Sequence, residues 1–494
     1  MVRITRYTLA TAAVALALAG CQDTGAPPKP TMSSALGVSA AGNGKYIVVF
    51  TGDDAPADFE ARVVARGGTI DAIMNGPGLA IVSGLSDVGA ADLASTEGVR
   101  DVTADGIVGP DGPEELTVAD AMEATAATPD ASADGFAECH ASSSRPAQAR
   151  YYRRQWNLCA IRAYAAWNAG FVGSPDVSVF LLDTGIDYRQ PDLAGLVDLS
   201  RSISLVPASS DEYALADAQG VLPIMDFHSH ATAVASLIAS NADSLAGVTR
   251  RTTLVSVKVL DRRRSGTISV FLRGIVYAAD HGADVIHFSF AFEGFDKRDS
   301  TGQVAAFNKA TAYAHRKGAV MVVAGGNFAV DMDHNRDNWR VCNATHAICV
   351  AATGPTAAGG VNGPWTDVDS PATYTNYGRS AIDVAGPGGT VGPPNSGLPV
   401  TLNCSLSGKV TMGNPAACGK GAPRWESTGT SFAAAVTSGL AALLVSRMGH
   451  GHPDQIRAVI EKSADDLGQP GTDPYYGKGR INIARALGLI PQAP

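Results

Sequence analysis

Short apolar runs that alternate with helical segments constrain the fold of this 494-residue chain more than any other feature. The runs are rich in β-branched residues, as buried parallel strands are, and they cover residues 177–182, 253–259, 284–289 and 319–324. Helical spacing is found at 231–240, 269–281, 303–317, 432–447 and 453–463. This alternation predicts an α/β protein with a doubly wound, mostly parallel sheet flanked by helices. In such folds the ligand site lies at the carboxyl ends of the strands.

Polar side chains that can carry chemistry fall at that edge of the predicted sheet. Asp183 directly follows the first strand, and Asn327 lies just past another. Ser431 follows a Gly-Thr pair and opens an apolar, alanine-rich run, so its hydroxyl is expected at the N-terminus of a buried helix, where negative charge is favoured. His230 stands at the start of the 231–240 helix. A serine nucleophile, an imidazole base and an orienting carboxylate form a catalytic triad.

The chain order Asp, His, Ser and the segments around these residues resemble the subtilisin-like serine proteases, the subtilases. The resemblance runs from about Tyr46 to Leu487. Further motifs carry it: Gln155-Trp156-Asn157-Leu158, Gln190-Pro191-Asp192-Leu193, Gly282-Ala283-Asp284-Val285-Ile286, Ala324-Gly325-Gly326-Asn327 and Gly479-Arg480-Ile481-Asn482. It implies a serine endopeptidase that forms an acyl-enzyme on Ser431, with His230 as base and then acid, Asp183 as orienting carboxylate and Asn327 as an oxyanion donor.

A second histidine lies close to the predicted base. Only His230 begins a helix and is followed by the family's pattern of small-Thr-x-Val-Ala-small, so His228 is interpreted as a loop residue. The segment departs from the family's usual residues at Ala231 and Ala233, where glycine and histidine are commoner. Neither change removes a catalytic atom.

The resemblance also implies that an extended peptide substrate adds as a strand between two edges of the enzyme. The residues expected there are Ser265 and Gly266 on one side, and Ser289, Phe290 and Ala291 on the other. Alternatively, Phe290 and Ala291 merely pack at a strand end.

Two further features near these edges are open to a plain structural interpretation. The run Arg262-Arg263-Arg264 is typical of a solvated turn, although it could also favour acidic substrate residues upstream of the cut. His287 lies in the middle of a predicted strand and is interpreted as a core histidine whose hydrogen bonds are satisfied, not as a ligand.

The region before the predicted protease domain (151–494) divides into a small domain and a linker. Residues 45–105 carry strands at 46–50, 79–82 and 99–102 and helical segments at 57–66 and 86–96, a pattern that suits a ferredoxin-like α+β module. This module resembles the inhibitory propeptide of subtilases, which occupies the cleft of its own enzyme. Residues 106–150 are interpreted as a poorly ordered linker that contains the maturation site, with the cut expected before Cys139.

The N-terminus is typical of an export signal. Arg3 and Arg6 precede a short apolar run at 9–19, which predicts a signal peptide over residues 1–20. The residues that follow, Leu18-Ala19-Gly20-Cys21, are similar to a lipobox, in which Cys21 is lipidated and anchors the chain to a membrane before maturation. The alternative is an ordinary signal peptide cut after Ala17-Leu18-Ala19. Residues 21–44, rich in Pro, Ser, Ala and Gly, are interpreted as a flexible tether.

Six other cysteines are present, and an even number in an exported chain predicts disulfides. Proximity along the chain favours the pairs Cys139–Cys159, Cys342–Cys349 and Cys404–Cys418. A metal site is the alternative, but the spacing and clustered histidines that zinc favours are missing from the sequence.

Charge and motif content limit the remaining functions. A net charge of −9 favours solubility and argues against nucleic acid as a partner. No cofactor is expected for the chemistry; calcium is frequent in the family, but no compact carboxylate loop marks a site. Two alternatives to a general protease remain: a dedicated processing amidase or esterase with the same triad, and a non-catalytic surface binding protein on a protease scaffold. Ser431 is not in a Gly-x-Ser-x-Gly elbow, which disfavours an α/β-hydrolase.

Overall fold

The computed structural model describes residues 39–40, 44–109, 116–117, 136–290, 295–296, 300–335, 338–401 and 424–492. The strands are β1 (Ser39–Ala40), β2 (Tyr46–Phe50), β3 (Thr69–Met74), β4 (Leu79–Ser83), β5 (Val99–Ala104), β6 (Gly106–Val108), β7 (Leu116–Thr117), β8 (Ser178–Asp183), β9 (Ile203–Ser204), β10 (Thr253–Lys258), β11 (Gly266–Thr267), β12 (Val285–Phe288), β13 (Phe295–Asp296), β14 (Val320–Ala324), β15 (Asn338–Trp339), β16 (Ala347–Thr353), β17 (Ala357–Ala358), β18 (Trp365–Thr366), β19 (Val384–Pro387), β20 (Leu398–Thr401) and β21 (Arg424–Ser427).

The α-helices are α1 (Phe59–Val64), α2 (Asp87–Ala94), α3 (Ala137–His140), α4 (Trp156–Ala160), α5 (Ala163–Asn168), α6 (Asp211–Gln219), α7 (His230–Ile238), α8 (Ile268–Asp280), α9 (Thr301–Arg316), α10 (Thr430–Met448), α11 (Pro453–Lys462) and α12 (Ile483–Ala486). Short 3₁₀ turns cover Pro146–Gln148, Tyr152–Arg154 and Val341–Asn343.

A seven-stranded parallel sheet forms the centre of the molecule, in the order β19-β16-β14-β12-β8-β10-β9. Helices α7 and α10 pack on one face, where Val179 and Leu181 of β8 point, and α8 and α9 pack on the other, where Phe180 and Leu182 point. The predicted α/β fold class is therefore confirmed. Strands β16 and β19, which complete one side of this sheet, were not predicted from the sequence.

Helix α10 lies in the core of the molecule. Every residue from Thr430 to Val445 is buried, because alanine and glycine on this helix allow the sheet and α7 to approach closely. The helix is long and apolar enough to cross a membrane by composition, but 83% of its most apolar window is buried inside the fold. It is therefore the core helix of a globular domain.

The N-terminal domain is a four-stranded antiparallel sheet, in the order β3-β4-β2-β5, with helices α1 and α2 on one face. This is the predicted ferredoxin-like arrangement with one strand added, since β3 was not expected. The other face packs on α9, where Ile47, Val49 and Ile81 share a core cluster with Phe307 and Tyr313.

Both ends of the predicted linker form regular structure. At its start, β6 pairs with β11 of the main domain and with β1. At its end, α3 is tied to α4 by the disulfide Cys139–Cys159, and Ala149 is buried in the main core. These contacts order residues whose sequence carries little periodicity. The pair Cys342–Cys349 also forms as predicted, whereas Cys21, Cys404 and Cys418 lie outside the described residues.

Candidate active site

Asp183 and His230 meet at the carboxyl end of the central sheet. Asp183 is the last residue of β8, and His230 is the first residue of α7; both are buried. Nδ1 of His230 lies 2.8 Å from Oδ1 of Asp183, which also accepts the amide of Thr184 at 2.6 Å. Burial alone raises the pKa of the Asp183 carboxyl, but the His230 imidazole, the Thr184 amide and the Arg264 guanidinium outweigh burial and lower that pKa. The carboxylate is therefore kept ionised beside the imidazole.

A second buried carboxylate, which the sequence interpretation did not single out, holds the start of α7. Oδ1 of Asp226 accepts the amides of His228 and Ser229 and the hydroxyl of Thr184, at 2.8–3.0 Å. Oδ2 accepts the amide and hydroxyl of Thr232 at 3.0 and 2.7 Å. Asp226 thereby satisfies free N–H groups at the helix N-terminus and fixes where the helix begins.

His228 is placed differently from its neighbour. Its ring centroid lies 6.4 Å from that of His230, and it is His230 whose Nδ1 hydrogen-bonds the Asp183 carboxylate. The geometry thus favours His230 as the histidine of the pair.

Ser431 is the second residue of α10, so its side chain lies at the N-terminus of the core helix. Its hydroxyl donates to the carbonyl oxygen of Ser289 at 2.8 Å. The ring of Phe432, the next residue, lies 6.1 Å from the ring of His230, which places the imidazole beside the first turn of α10. Residues separated by up to 248 positions in the sequence are thus gathered at one edge of the sheet.

Asn327 faces the same helix turn. Its Oδ1 accepts the amide and the hydroxyl of Thr430, both at 2.9 Å, and the Thr430 hydroxyl in turn accepts the amide of Gly326 at 3.0 Å. This orientation leaves the Nδ2 amide group buried and without a hydrogen-bond acceptor in the described part of the chain. A buried amide donor of this kind is suited to bind developing negative charge. Thr430, which orients it, was not predicted.

The sequence pattern of the subtilase family matches residues 174–479, and the active-site residues described above fall within this stretch. The chain belongs to the subtilase family. It is 31% identical to a thermophilic serine proteinase from Bacillus sp. (strain AK1) over 319 residues, which are 64% of this chain and 62% of that protein. It is 28% identical to thermitase from Thermoactinomyces vulgaris, over 68% of this chain and 96% of thermitase.

Solved structures of other subtilases share the fold. The epidermin leader peptide processing serine protease from Staphylococcus aureus superimposes with a TM-score of 0.67 at 18% identity, over 91% of this chain and 99% of that one. A lanthipeptide protease gives a TM-score of 0.56 at 22% identity, over 68% of this chain and 96% of that one. Because the first of these matches covers more of the chain than residues 174–479, the shared fold extends beyond the family match.

In this subtilase, one predicted substrate edge is already paired with another part of the chain. Gly266 and Thr267 of β11 form an antiparallel ladder with Val108 and Ile107 of β6. On the opposite edge, Ser289 follows β12, and its carbonyl oxygen contacts Ser431 as described. Ala291 lies outside the described residues.

The Phe290 side chain is completely buried and stacks on Phe271, so it packs in the core, as the plainer interpretation held.

Two of the three arginines in the run 262–264 behave as in a solvated turn. Arg263 is exposed, and Arg262 pairs with Asp211 at 2.5 Å. Arg264 is only 4% exposed, with its guanidinium carbon 5.8 Å from the centre of the Phe290 ring. The prediction of a solvated turn is therefore wrong for Arg264.

One group of possible metal ligands is present among the described residues: His315, His346 and Asp454, whose ligand atoms lie within 4.8 Å of one another. The two imidazole rings stack face to face with 3.7 Å between centroids. Because imidazole binds a metal through a lone pair in the ring plane, stacked rings do not aim at a common point, and we assign no metal to this group. Calcium prefers six or more oxygen ligands, which this group does not offer.

Proposed function

We propose that this subtilase is a serine endopeptidase that cleaves peptide bonds through an acyl-enzyme on Ser431. The observation that carries the proposal is the hydrogen bond between buried Asp183 and His230 beside the helix turn that bears Ser431. The carboxylate orients the imidazole and stabilises its protonated form, so that His230 can take the proton of the serine hydroxyl.

The proposed reaction begins with a reorientation of that hydroxyl. In this structure the O–H bond of Ser431 points to the carbonyl oxygen of Ser289, so it must turn toward Nε2 of His230 before the oxygen attacks the substrate carbonyl. His230 accepts the proton and then passes it to the leaving amine, which leaves the acyl group on Ser431. Water, activated by His230 in the same way, releases the acyl group. The Nδ2 group of Asn327 and the backbone N–H of Ser431 are proposed to bind the oxyanion in both steps.

We also propose that the N-terminal domain inhibits the enzyme as its propeptide. Two strands of the N-terminal region support this proposal. β6 pairs with β11, the predicted substrate edge, and β7 pairs with β21, whose last residue lies four positions before Ser431. An extended segment held on such edges binds as a peptide substrate does.

A buried carboxylate supports the same proposal. Oδ1 of Asp105 accepts the amide of Ser269 at 2.9 Å, and Oδ2 accepts the Ser269 hydroxyl at 2.6 Å. Ser269 is in the first turn of α8, so the carboxyl group of Asp105 hydrogen-bonds the N–H and O–H groups at the start of a helix of the main domain.

Export, lipidation at Cys21 and release by a cut before Cys139 complete the proposed precursor. The signal-like residues 1–20 support export. The disulfides Cys139–Cys159 and Cys342–Cys349 suit an oxidising compartment. Because Cys139 and Cys159 are linked, a cut before Cys139 leaves that bridge within the mature enzyme. An N-terminus after Cys139 in soluble active enzyme would contradict this position of the cut.

Active-site labelling tests the proposed activity. We expect a fluorophosphonate to modify Ser431 in the processed enzyme and not in the Ser431→Ala variant, and we expect the labelled enzyme to lose peptide cleavage. Digestion of a peptide library then distinguishes a general endopeptidase, which cuts many sequences, from a dedicated processing enzyme, which cuts few. Absence of labelling on Ser431 in a correctly processed chain would instead favour a non-catalytic binding protein.

A further inference from the structure

A second buried histidine connects the helix of Ser431 with the opposite substrate edge. His287, in the middle of β12, is fully buried. Its Nδ1 lies 2.9 Å from the hydroxyl of Ser438, two turns along α10 from Ser431. Its Nε2 hydrogen-bonds the hydroxyl of Ser289, the residue whose carbonyl oxygen accepts the Ser431 hydroxyl. The imidazole thus joins Ser438 of the nucleophile's helix to Ser289 on the substrate edge.

The protonation state of His287 suits this link. Burial lowers the pKa of its imidazole to about 3, with Asp183 opposing and His230 adding to that effect. A neutral imidazole donates a hydrogen bond at one nitrogen and accepts at the other. Since a serine hydroxyl can do either, both ring nitrogens can be satisfied at once.

The hydrogen bond to His287 restrains Ser289, which lies beyond the strand pairing of the central sheet. The ladders of β12 with β8 and with β14 both end at Phe288. Ser289 is the next residue, so the side-chain hydrogen bond to His287 restrains a backbone carbonyl that lies beyond the last strand pair. A shift of about 1 Å at a positioning group can reduce the rate by roughly 100-fold.

We propose that His287 is a positioning residue: through Ser289, it sets the placement of the substrate edge relative to Ser431. The proposal rests on the proposed protease function, and it extends that function by naming a residue that touches neither the substrate nor the triad. A histidine with only a packing role would affect stability and every reaction of Ser431 equally. A positioning role affects reactions that use the substrate edge more than those that do not.

The test compares two reactions of Ser431 in enzyme that is expressed as the full chain and has processed itself. The first is cleavage of a peptide with four residues upstream of the cut, measured as kcat and KM. The second is labelling by a small fluorophosphonate, which has no residues to bind along the edge. We expect Ser289→Ala and His287→Leu to lower kcat/KM for the peptide by roughly 10- to 100-fold, and His287→Leu to leave the labelling rate nearly unchanged.

Three further variants complete the design. His287→Gln, which keeps a donor and an acceptor, should recover part of the loss seen in His287→Leu. Ser438→Ala leaves the ring and Ser289 in place, so it tests the link even if His287→Leu does not fold. Ser446→Ala removes a hydroxyl near the far end of α10 that donates to Ala442, and it serves as the matched control.

Equal losses in the two reactions, or full peptide cleavage by Ser289→Ala, would overturn the positioning role while the wild type still labels and cleaves. A wild type that does neither would overturn the proposed function and the positioning role together. Non-additive losses in the double variant His287→Leu with Ser289→Ala are expected, because the two residues act through one another.

Discussion

The active site and the surface that carries the N-terminal domain are held together by different kinds of contact. Buried hydrogen bonds to ionisable groups fix the active site, as those of Asp183 and Asp226 show. The domain interface combines an apolar cluster with more exposed hydrogen bonds, such as that from Lys309 to the carbonyl of Gly52, and with one buried carboxylate, Asp105. Apolar contact is not directional, whereas a buried polar network is lost once one member moves. The active site is therefore suited to keep one fixed arrangement, and the domain interface is suited to separate.

The strongest test of this contrast removes the chemistry and leaves the interface intact. We expect Ser431→Ala and His230→Ala to lower kcat by roughly 10⁶-fold and to leave the precursor unprocessed, because the triad acts as a unit. His228→Ala is the matched control and should retain near-normal turnover. Peptide hydrolysis and the size of the purified chain measure both effects. If His228→Ala lost activity while His230→Ala kept it, the assignment of the histidine would be wrong.

Removal of the oxyanion donor should have a smaller effect. Asn327→Ala is expected to lower kcat by roughly 10²- to 10³-fold with little change in KM, because the Nδ2 group stabilises charge that develops only in the transition state. Thr430→Val, which removes the hydroxyl that orients the Asn327 amide, should lower kcat by less. Steady-state kinetics measure both variants. A rise in KM at constant kcat would show that Asn327 binds the ground state instead.

Loss of a disulfide should affect stability and not the chemistry. Replacement of Cys342 and Cys349 by serine is expected to reduce the free energy of unfolding by about 2–3 kcal/mol, since the bridge closes a short loop in the unfolded chain. Denaturant unfolding in the Ser431→Ala background measures this, because self-digestion is then absent. Non-reducing peptide mapping provides the control, and free thiols at both positions would contradict the prediction.

The smallest effect is expected at the domain interface, where it should depend on pH. Burial raises the pKa of the Asp105 carboxyl, and the hydrogen bonds from Ser269 oppose this only in part. Ionisation of Asp105 therefore costs more when the interface is formed. Association is strongest at a pH where the carboxyl is protonated both in the interface and after separation. It weakens as the pH rises from the ordinary pKa of the carboxyl, about 3.9, through its raised pKa in the interface.

The dissociation rate of the cleaved N-terminal fragment measures this dependence. We expect the wild-type fragments to separate faster toward neutral pH. Between the two pKa values of Asp105, the change should be about tenfold, or 1.4 kcal/mol, for each pH unit. In Asp105→Asn the rate of separation should depend less on pH. An equally steep dependence in Asp105→Asn would assign the titration to another group.

Much of the main domain could be predicted because its signals are local. The strands at 177–182 and 319–324 are apolar runs buried on both faces, and the structure places β8 and β14 within a residue of them. Asp183, Asn327 and Ser431 each follow a strand or begin a helix, so their meeting at one edge followed from the alternation itself.

The elements that were missed depend on their neighbours in space. β3 alternates between exposed and partly buried residues at a sheet edge, and it contains Asp71, so its apolar signal is weak. β19 contains only four residues, ends at Pro387, and lies at the edge of the central sheet. Arg264 is charged, yet it is buried beside Phe290, an arrangement that no local pattern indicates.

The pairing of β6 with β11 within one chain has a consequence for how activation depends on concentration. While the chain is continuous, the occupancy of β11 is set by a local, effective concentration of β6 and does not change when the protein is diluted. Once the chain is cut, the same strands belong to two molecules, and their association obeys mass action. The proposed precursor would then stay inhibited at any concentration before processing, and after processing it would become active as the fragments disperse into a larger volume.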